Sequence, residues 1–348
     1  MRRIIKILIT FIFITTGSLF LFLVENRVRV QMKNKAERTP AQERTVLQVE
    51  KLTKFTSSEV EINKSIFFLE TGGLKFITTR QACVVESALL HHPDVRVFLL
   101  ITGGNSSSIN DLREDINLRS LLSYPNFKIR YIDNVAIFKK SPLWDWFVYS
   151  DWQAQKQRSH ILRFALGLIF LFDYGGVVLS FSVLTVQRIP FNFIGECEDD
   201  VLTTDILSFP QKNQFLQYVL DDVQMQFREK LFSERSLTNY IYSFCKVESL
   251  RELEFQECRF LEARLLHPEV LCPIEKEKHW VLFDENSLLC RYELAKAKFE
   301  SKEVKGIHLW LELSAGFKEW GSPTFKSAIY KLGNQHCPAV FSSATRTL

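Results

Sequence analysis

The chain has 348 residues, 46% of them apolar and 13% aromatic, with 30 phenylalanines, which excludes a disordered protein and suits one large globular domain or two smaller ones. Its 44 basic and 40 acidic residues leave a net charge of +4. The basic residues are scattered and form no stripe, so nothing supports a nucleic-acid partner.

At the N-terminus, Arg2, Arg3 and Lys6 precede Ile7–Val24, an uncharged, mostly apolar run of about 18 residues, just long enough to cross a bilayer. The run continues past Thr15–Ser18 as LFLFLV, which favours an uncleaved signal anchor over a cleaved leader. Basic residues crowd both flanks, so the positive-inside rule does not orient the span. No second comparable run follows, and everything beyond about residue 25 is expected on one side of the membrane. The organisation read from this is a tail at 1–6, an anchor at 7–24, a polar stem at 25–62 containing Pro40, and a globular domain at 63–348. Two sequons, at Asn63 and Asn105, become glycosylation acceptors if this side is lumenal, and Asn105 sits in the evident loop GGNSSSIN. The seven cysteines, Cys83, Cys197, Cys245, Cys258, Cys272, Cys290 and Cys337, show no metal-ligand spacing. A lumenal chain can pair six of them; Cys83, amid apolar neighbours, reads as a buried free thiol.

Within the domain, Ser65–Leu69 reads as a buried strand ended by Glu70-Thr71-Gly72-Gly73. Thr79–Leu90 carries Ala82, Val85, Leu89 and Leu90 at helical spacing and stops at His92-Pro93-Asp94. Val95–Ile101 and Phe127–Ile132 are the next strands, and this order implies an α/β fold with a mainly parallel central sheet covered on both faces. Ser159–Phe172 is helical, Gly175 and Gly176 end it in a turn that needs positive φ, and Val177–Leu184 reads as one strand. Strand alternation then puts Ser180 and Ser182 on a common face. Phe215–Phe227 is a further helix; beyond about residue 250 the pattern is mixed. Asp199, Asp200 and Asp205 follow the Ser180–Ser182 strand; the stretch around Glu196–Asp200 reads as a solvated loop, the sharper alternative being that the three acids supply the metal clasp. No nucleophile elbow or carboxylate pair points to a hydrolase.

Several ordered segments together resemble the α1,4-glycosyltransferases of the Golgi. They are Phe68-Leu69-Glu70-Thr71, Arg80-Gln81-Ala82-Cys83 with Val85-Glu86-Ser87-Ala88, Pro142-Leu143-Trp144 with Trp146, Leu162-Arg163, Tyr174-Gly175-Gly176, and His308-Leu309-Trp310. The resemblance implies a single-pass type II Golgi membrane protein with a lumenal domain of the GT-A type. It implies transfer of a hexose or N-acetylhexosamine from a UDP-sugar, in α1,4 linkage, to a glycolipid or glycan. It also implies a Mn²⁺ ion, held by two aspartates two positions apart, that neutralises charge developing on the leaving diphosphate. The nucleotide-sugar contacts carried over are Glu70, Thr71, Arg163, Tyr174, Gly175, Gly176 and His308.

The departures fall on that chemistry. The family's YGGxYLDxD reads YGGVVLSFS, so both metal ligands are hydroxyls, Ser180 and Ser182, and a neutral hydroxyl is a poor ligand for a hard cation. The aspartate of the family's Ser-Asp-x-x-Arg is His160, its Gly-Pro stretch is LFSERSLTNY, and the asparagine of HLWN is Leu311. The expectation is therefore a transferase-family protein with weakened metal-dependent activity, the alternative being an inactive member that binds glycan, glycolipid or a partner transferase. Trp144 and Trp146 suit sugar stacking or core packing, and His308 suits either a phosphate contact or packing beside Trp310.

Overall fold

The computed structural model describes residues 52–73, 77–102, 115–225, 234–255, 258–284, 301–314 and 327–345. The expected tail, anchor and most of the stem lie outside these residues, as do Asn105 and Cys290. Among the described residues no helix is long and apolar enough to cross a membrane. The strands are β1 (Ser65–Glu70), β2 (Arg96–Thr102), β3 (Phe127–Ile132), β4 (Gly176–Leu179), β5 (Val183–Thr185), β6 (Phe193–Glu198), β7 (Val201–Phe209), β8 (Arg264–Leu266) and β9 (Gly306–His308). The longer helices are α1 (Thr79–His91), α2 (Arg158–Tyr174), α3 (Gln214–Met225), α4 (Glu234–Cys245), α5 (Ala328–His336) and α6 (Pro338–Thr345); shorter ones are named by their range.

Seven strands form one sheet in the order β3-β2-β1-β4-β7-β6-β8, and β5 pairs with β9 in a separate two-stranded ribbon. Neighbours from β3 through β4 run parallel, as do β6 and β8, while β7 is antiparallel to both β4 and β6. Every residue of β1 is buried, as a parallel sheet covered on both faces requires. Alternation sends Ile66 and Phe68 to one core, beneath α1 and the C-terminal helices, and Phe67 and Leu69 to the other, beneath α2, α3 and α4.

Helix α1 starts on a capping box, in which Thr78 and Gln81 satisfy each other's backbone N–H groups. The RQACVVESA segment turns out to tie this helix to the rest of the fold. Arg80 donates to the Ser314 carbonyl at 3.0 Å, and Cys83 pairs with Cys337. Buried Glu86 accepts from the Ala339 and Val340 N–H groups at the start of α6, so its charge also sits at a helix N-terminus. Ser87 accepts from Thr185 on β5. The expected free thiol at Cys83 is thus corrected: its apolar surroundings are those of a buried disulfide, and Cys197–Cys272 and Cys245–Cys258 are bonded too.

Two other expectations change. Residues at the end of the expected stem pack on the domain: Phe55 N–H donates to the Tyr131 carbonyl, and its ring lies against Phe98, Phe170 and Tyr174. The single strand expected over Val177–Leu184 is two. β4 leaves β1 after Leu179, and a turn at 180–182 carries the chain across to pair with β9. Serine hydroxyls compete with sheet hydrogen bonds for the backbone, and here the Ser180 hydroxyl accepts from the Ser182 N–H at 3.0 Å. Ser180 and Ser182 therefore share a tight turn rather than one strand face.

Candidate functional site

The strand order marks a crevice without reference to any motif. β2 and β3 are added on one side of β1 and β4 on the other. In open α/β sheets ligands bind at the carboxyl ends of the strands that flank such a switch point. Three pieces of chain meet there: Glu70 and Thr71 after β1, the 180–182 turn after β4, and the first turn of α2. Thr71 joins two of them, its hydroxyl donating to the Ser159 carbonyl at 2.7 Å and lying 2.9 Å from the Ser159 hydroxyl. Glu70, 8% exposed, accepts from the Gly72 N–H at 2.8 Å.

β7 and β9 bring the remaining groups. The Asp205 carbonyl accepts from the Ser180 N–H at 2.7 Å, which sets β7 beside the turn. The Asp205 carboxylate, 16% exposed, has both oxygens taken: Oδ1 lies 2.6 Å from Arg163 Nη2 and Oδ2 lies 2.7 Å from His308 Nε2. Burial opposes its ionisation, but the Arg163 charge and the hydrogen bonds from His308 and Arg163 outweigh that and hold its carboxyl well below the usual carboxylate range.

Hydrogen bonds assign the histidine tautomers. The Trp310 N–H donates to His308 Nδ1 at 3.1 Å, so Nε2 carries the proton that His308 gives Asp205. Trp310, with φ of 48°, also lays its ring 4.0 Å from the His308 ring. His160 Nδ1 accepts from Arg163 at 3.0 Å, leaving its Nε2 toward the Thr204 hydroxyl. Burial, and then the Arg163 charge, lower the His160 pKa, so the ring is neutral at neutral pH. The result is one connected chain of polar groups from Thr204 through His160, Arg163, Asp205 and His308 to the Trp310 backbone.

A Mn²⁺ ion does not fit this arrangement. Its two expected carboxylates are Ser180 and Ser182, the Ser180 hydroxyl already serves the Ser182 N–H, and both His308 nitrogens are committed. Among the described residues no group of three His, Cys, Asp or Glu side chains is arranged to hold a metal.

Of the sequence-derived candidates, Glu70, Thr71, Arg163 and His308 converge on the crevice. Tyr174, Gly175 and Gly176 do not join them. They stand at the other end of the sheet, where β4 begins, and Gly176 is held against the Ser65 carbonyl at the start of β1. Tyr174 packs against Phe55, Phe67 and Phe170. These three residues make the turn; they do not line the site. Trp146 is 2% exposed in an aromatic cluster with Phe138 and Trp152, and Trp144 lies against Phe147, so this segment is core packing. Asn63 is an exposed turn residue whose side-chain oxygen accepts from the Gln211 N–H.

Asp205, His160, Ser159 and Thr204 complete the crevice beyond the candidates. The solvated loop expected around Glu196–Asp200 is the end of β6 and a turn, with Asp199 exposed but Glu196 buried. Asp199 pairs with Arg251, and Asp200 accepts from Tyr242 and the Leu250 N–H, in the turn between β6 and β7. Asp205 lies five residues farther along β7, on the order of 15 Å away. A signal for it was present: a charged residue in the strand-like run VLTTDILSF must be paired if it is buried.

Residues 208–344 match the family described as "Alpha 1,4-glycosyltransferase conserved region". The chain is similar to lactosylceramide 4-alpha-galactosyltransferase of Rattus norvegicus, 26% identical over 289 residues that cover 82% of this chain and 77% of the relative. It is also similar to alpha-1,4-N-acetylglucosaminyltransferase of Homo sapiens, 23% identical over 293 residues, 80% of each chain. Among solved structures, the PaToxG glycosyltransferase superposes with a TM-score of 0.40 at 14% identity, over 68% of this chain and 86% of that one.

Proposed function

We propose that this chain, a relative of the α1,4-glycosyltransferases over about four fifths of its length, is a single-pass Golgi protein with a lumenal GT-A-like domain whose metal-dependent sugar transfer is weakened. Its relatives are named for α1,4 transfer of galactose or N-acetylglucosamine, so the reaction proposed is hexose or N-acetylhexosamine transfer from a UDP-sugar to a glycolipid or glycan. The observation that carries the weakening is the turn at 180–182. It stands at the β4 end of the crevice, where the resemblance puts two aspartates, and it holds Ser180 and Ser182. Three disulfides support a compartment that is oxidising, as the secretory lumen is.

A second reading has its own support. Arg163 and His308, the groups best placed to meet a diphosphate, are both spent on Asp205. That favours a catalytically inactive member that binds glycan, glycolipid or a partner transferase. Transfer assays on the purified full chain, with UDP-galactose, UDP-N-acetylgalactosamine and UDP-N-acetylglucosamine and a terminal β-galactoside acceptor, separate the cases. Slow turnover that Mn²⁺ does not raise supports the first reading, and none at all the second. Robust Mn²⁺-dependent transfer contradicts both.

A further inference from the structure

Resting on the reading that this crevice descends from a sugar-nucleotide site, the Asp205 carboxylate acquires a specific role. A nucleoside diphosphate needs cations and N–H donors around its phosphates. At this crevice the cation is Arg163 and the oriented side-chain donor is His308 Nε2, and both point at Asp205. His308 cannot turn away without losing the Trp310 N–H at Nδ1, and Arg163 is steered further by His160. The local charge is unfavourable as well. Glu70 lies beside Gly72 and Ser159, and Glu312 is close enough to act on His160. Among the described residues, Asp205 faces the charge of Arg163, while the nearby Lys276 ammonium, 5.8 Å from the Trp310 ring, pairs with Glu198.

We propose that Asp205 is an intramolecular anion that occupies the phosphate-binding groups of the crevice, so that the intact chain discriminates against the phosphates of a nucleoside diphosphate relative to an uncharged ligand such as a neutral hexose. It is a specificity-determining residue acting through Arg163 and His308. A phosphate entering the site must displace a carboxylate already held by two charge-assisted hydrogen bonds, and then lie beside it as a like charge.

The test is calorimetric titration of the full chain with UDP and with uridine, in EDTA so that metal plays no part. On the wild type UDP binds no more tightly than uridine. On Asp205→Asn, UDP binding tightens at least about tenfold and weakens with added salt, uridine binding is unchanged, and the gain disappears in Arg163→Gln/Asp205→Asn. Asp205→Ser is the second variant, and melting temperatures establish that each is folded. A wild-type preference for UDP over uridine of about tenfold or more overturns the proposal, and this arm requires no variant to fold. So does a folded Asp205→Asn or Asp205→Ser chain that gains nothing. Because metal is absent throughout, neither result depends on whether Mn²⁺-driven transfer is weakened.

Discussion

Removing one side of the Arg163–Asp205 pair should cost far more than its exposure suggests. Both side chains are largely buried, at 14% and 16% exposed, with 2.6 Å between Nη2 and Oδ1. With charge centres about 4 Å apart and an effective dielectric of about 20, the gross attraction is about 4 kcal/mol. Asp205→Ala leaves the Arg163 guanidinium enclosed without a counterion, and such breakage costs about 3–5 kcal/mol. Arg163→Ala leaves Asp205 with His308 alone and should cost a similar amount. The double variant removes both charges, so its loss should fall short of the sum of the two singles by about 2–4 kcal/mol. Urea unfolding followed by tryptophan fluorescence, on wild type, both singles and the double, measures that shortfall. Singles that add to within about 0.5 kcal/mol would show that the two groups do not act on each other, and the account of the crevice would fail.

Three further outcomes follow from the fold. Burial, reinforced for His91 by the neighbouring His336 and His92 and acting alone on His336, lowers both residues to about 4. Unfolded histidines take up protons near pH 6.5, so stability is full above about that value and is lost as the pH falls toward 4. His91→Gln/His336→Gln should flatten the melting-temperature curve between pH 7 and 5; an unchanged slope would contradict the assignment. Cys83–Cys337 spans 254 residues and Cys245–Cys258 spans 13, so chain entropy ranks their removal at about 5 and about 3 kcal/mol, and paired Cys→Ala variants giving the reverse order would count against it. At Gly176, with φ of +101°, a Cβ would lie 2.3 Å from the Ser65 carbonyl oxygen, whereas at Gly73, with φ of +70°, nothing lies within 4 Å. Gly176→Ala should therefore cost about 3 kcal/mol or more and Gly73→Ala only about 1 kcal/mol, read as melting temperatures; equal losses would refute the packing argument.

The parts of the fold legible in the sequence are those where one periodicity governs a whole segment. The apolar run at Ser65–Leu69, the helical spacing from Thr79 and the alternation at Phe127–Ile132 each announce their element because a two-faced sheet demands it. The β4–β5 break escaped because Val177–Leu184 alternates well enough for one strand; what ends β4 is a hydroxyl capping a backbone N–H, an interaction without periodicity. The crevice was half legible. Glu70 and Thr71 follow a strand in the place a parallel sheet puts its ligands, and Arg163 lies within about one helical turn of Ser159. Tyr174-Gly175-Gly176 is close in sequence to Ser180, and that proximity misled, because β4 carries the two ends of the segment to opposite ends of the sheet's strands. Asp205 belongs to the site through a partner on α2 and another on β9, 42 and 103 residues away, and no local pattern encodes such a meeting.

The function proposed for this chain is that of a sugar-nucleotide transferase relative whose metal clasp is missing. Titrating UDP by calorimetry, with and without Mn²⁺, on wild type and on Ser180→Asp/Ser182→Asp tests this most directly. The account predicts that Mn²⁺ leaves the wild-type isotherm unchanged and strengthens UDP binding only in the double variant. Metal-enhanced UDP binding by the wild type would contradict it.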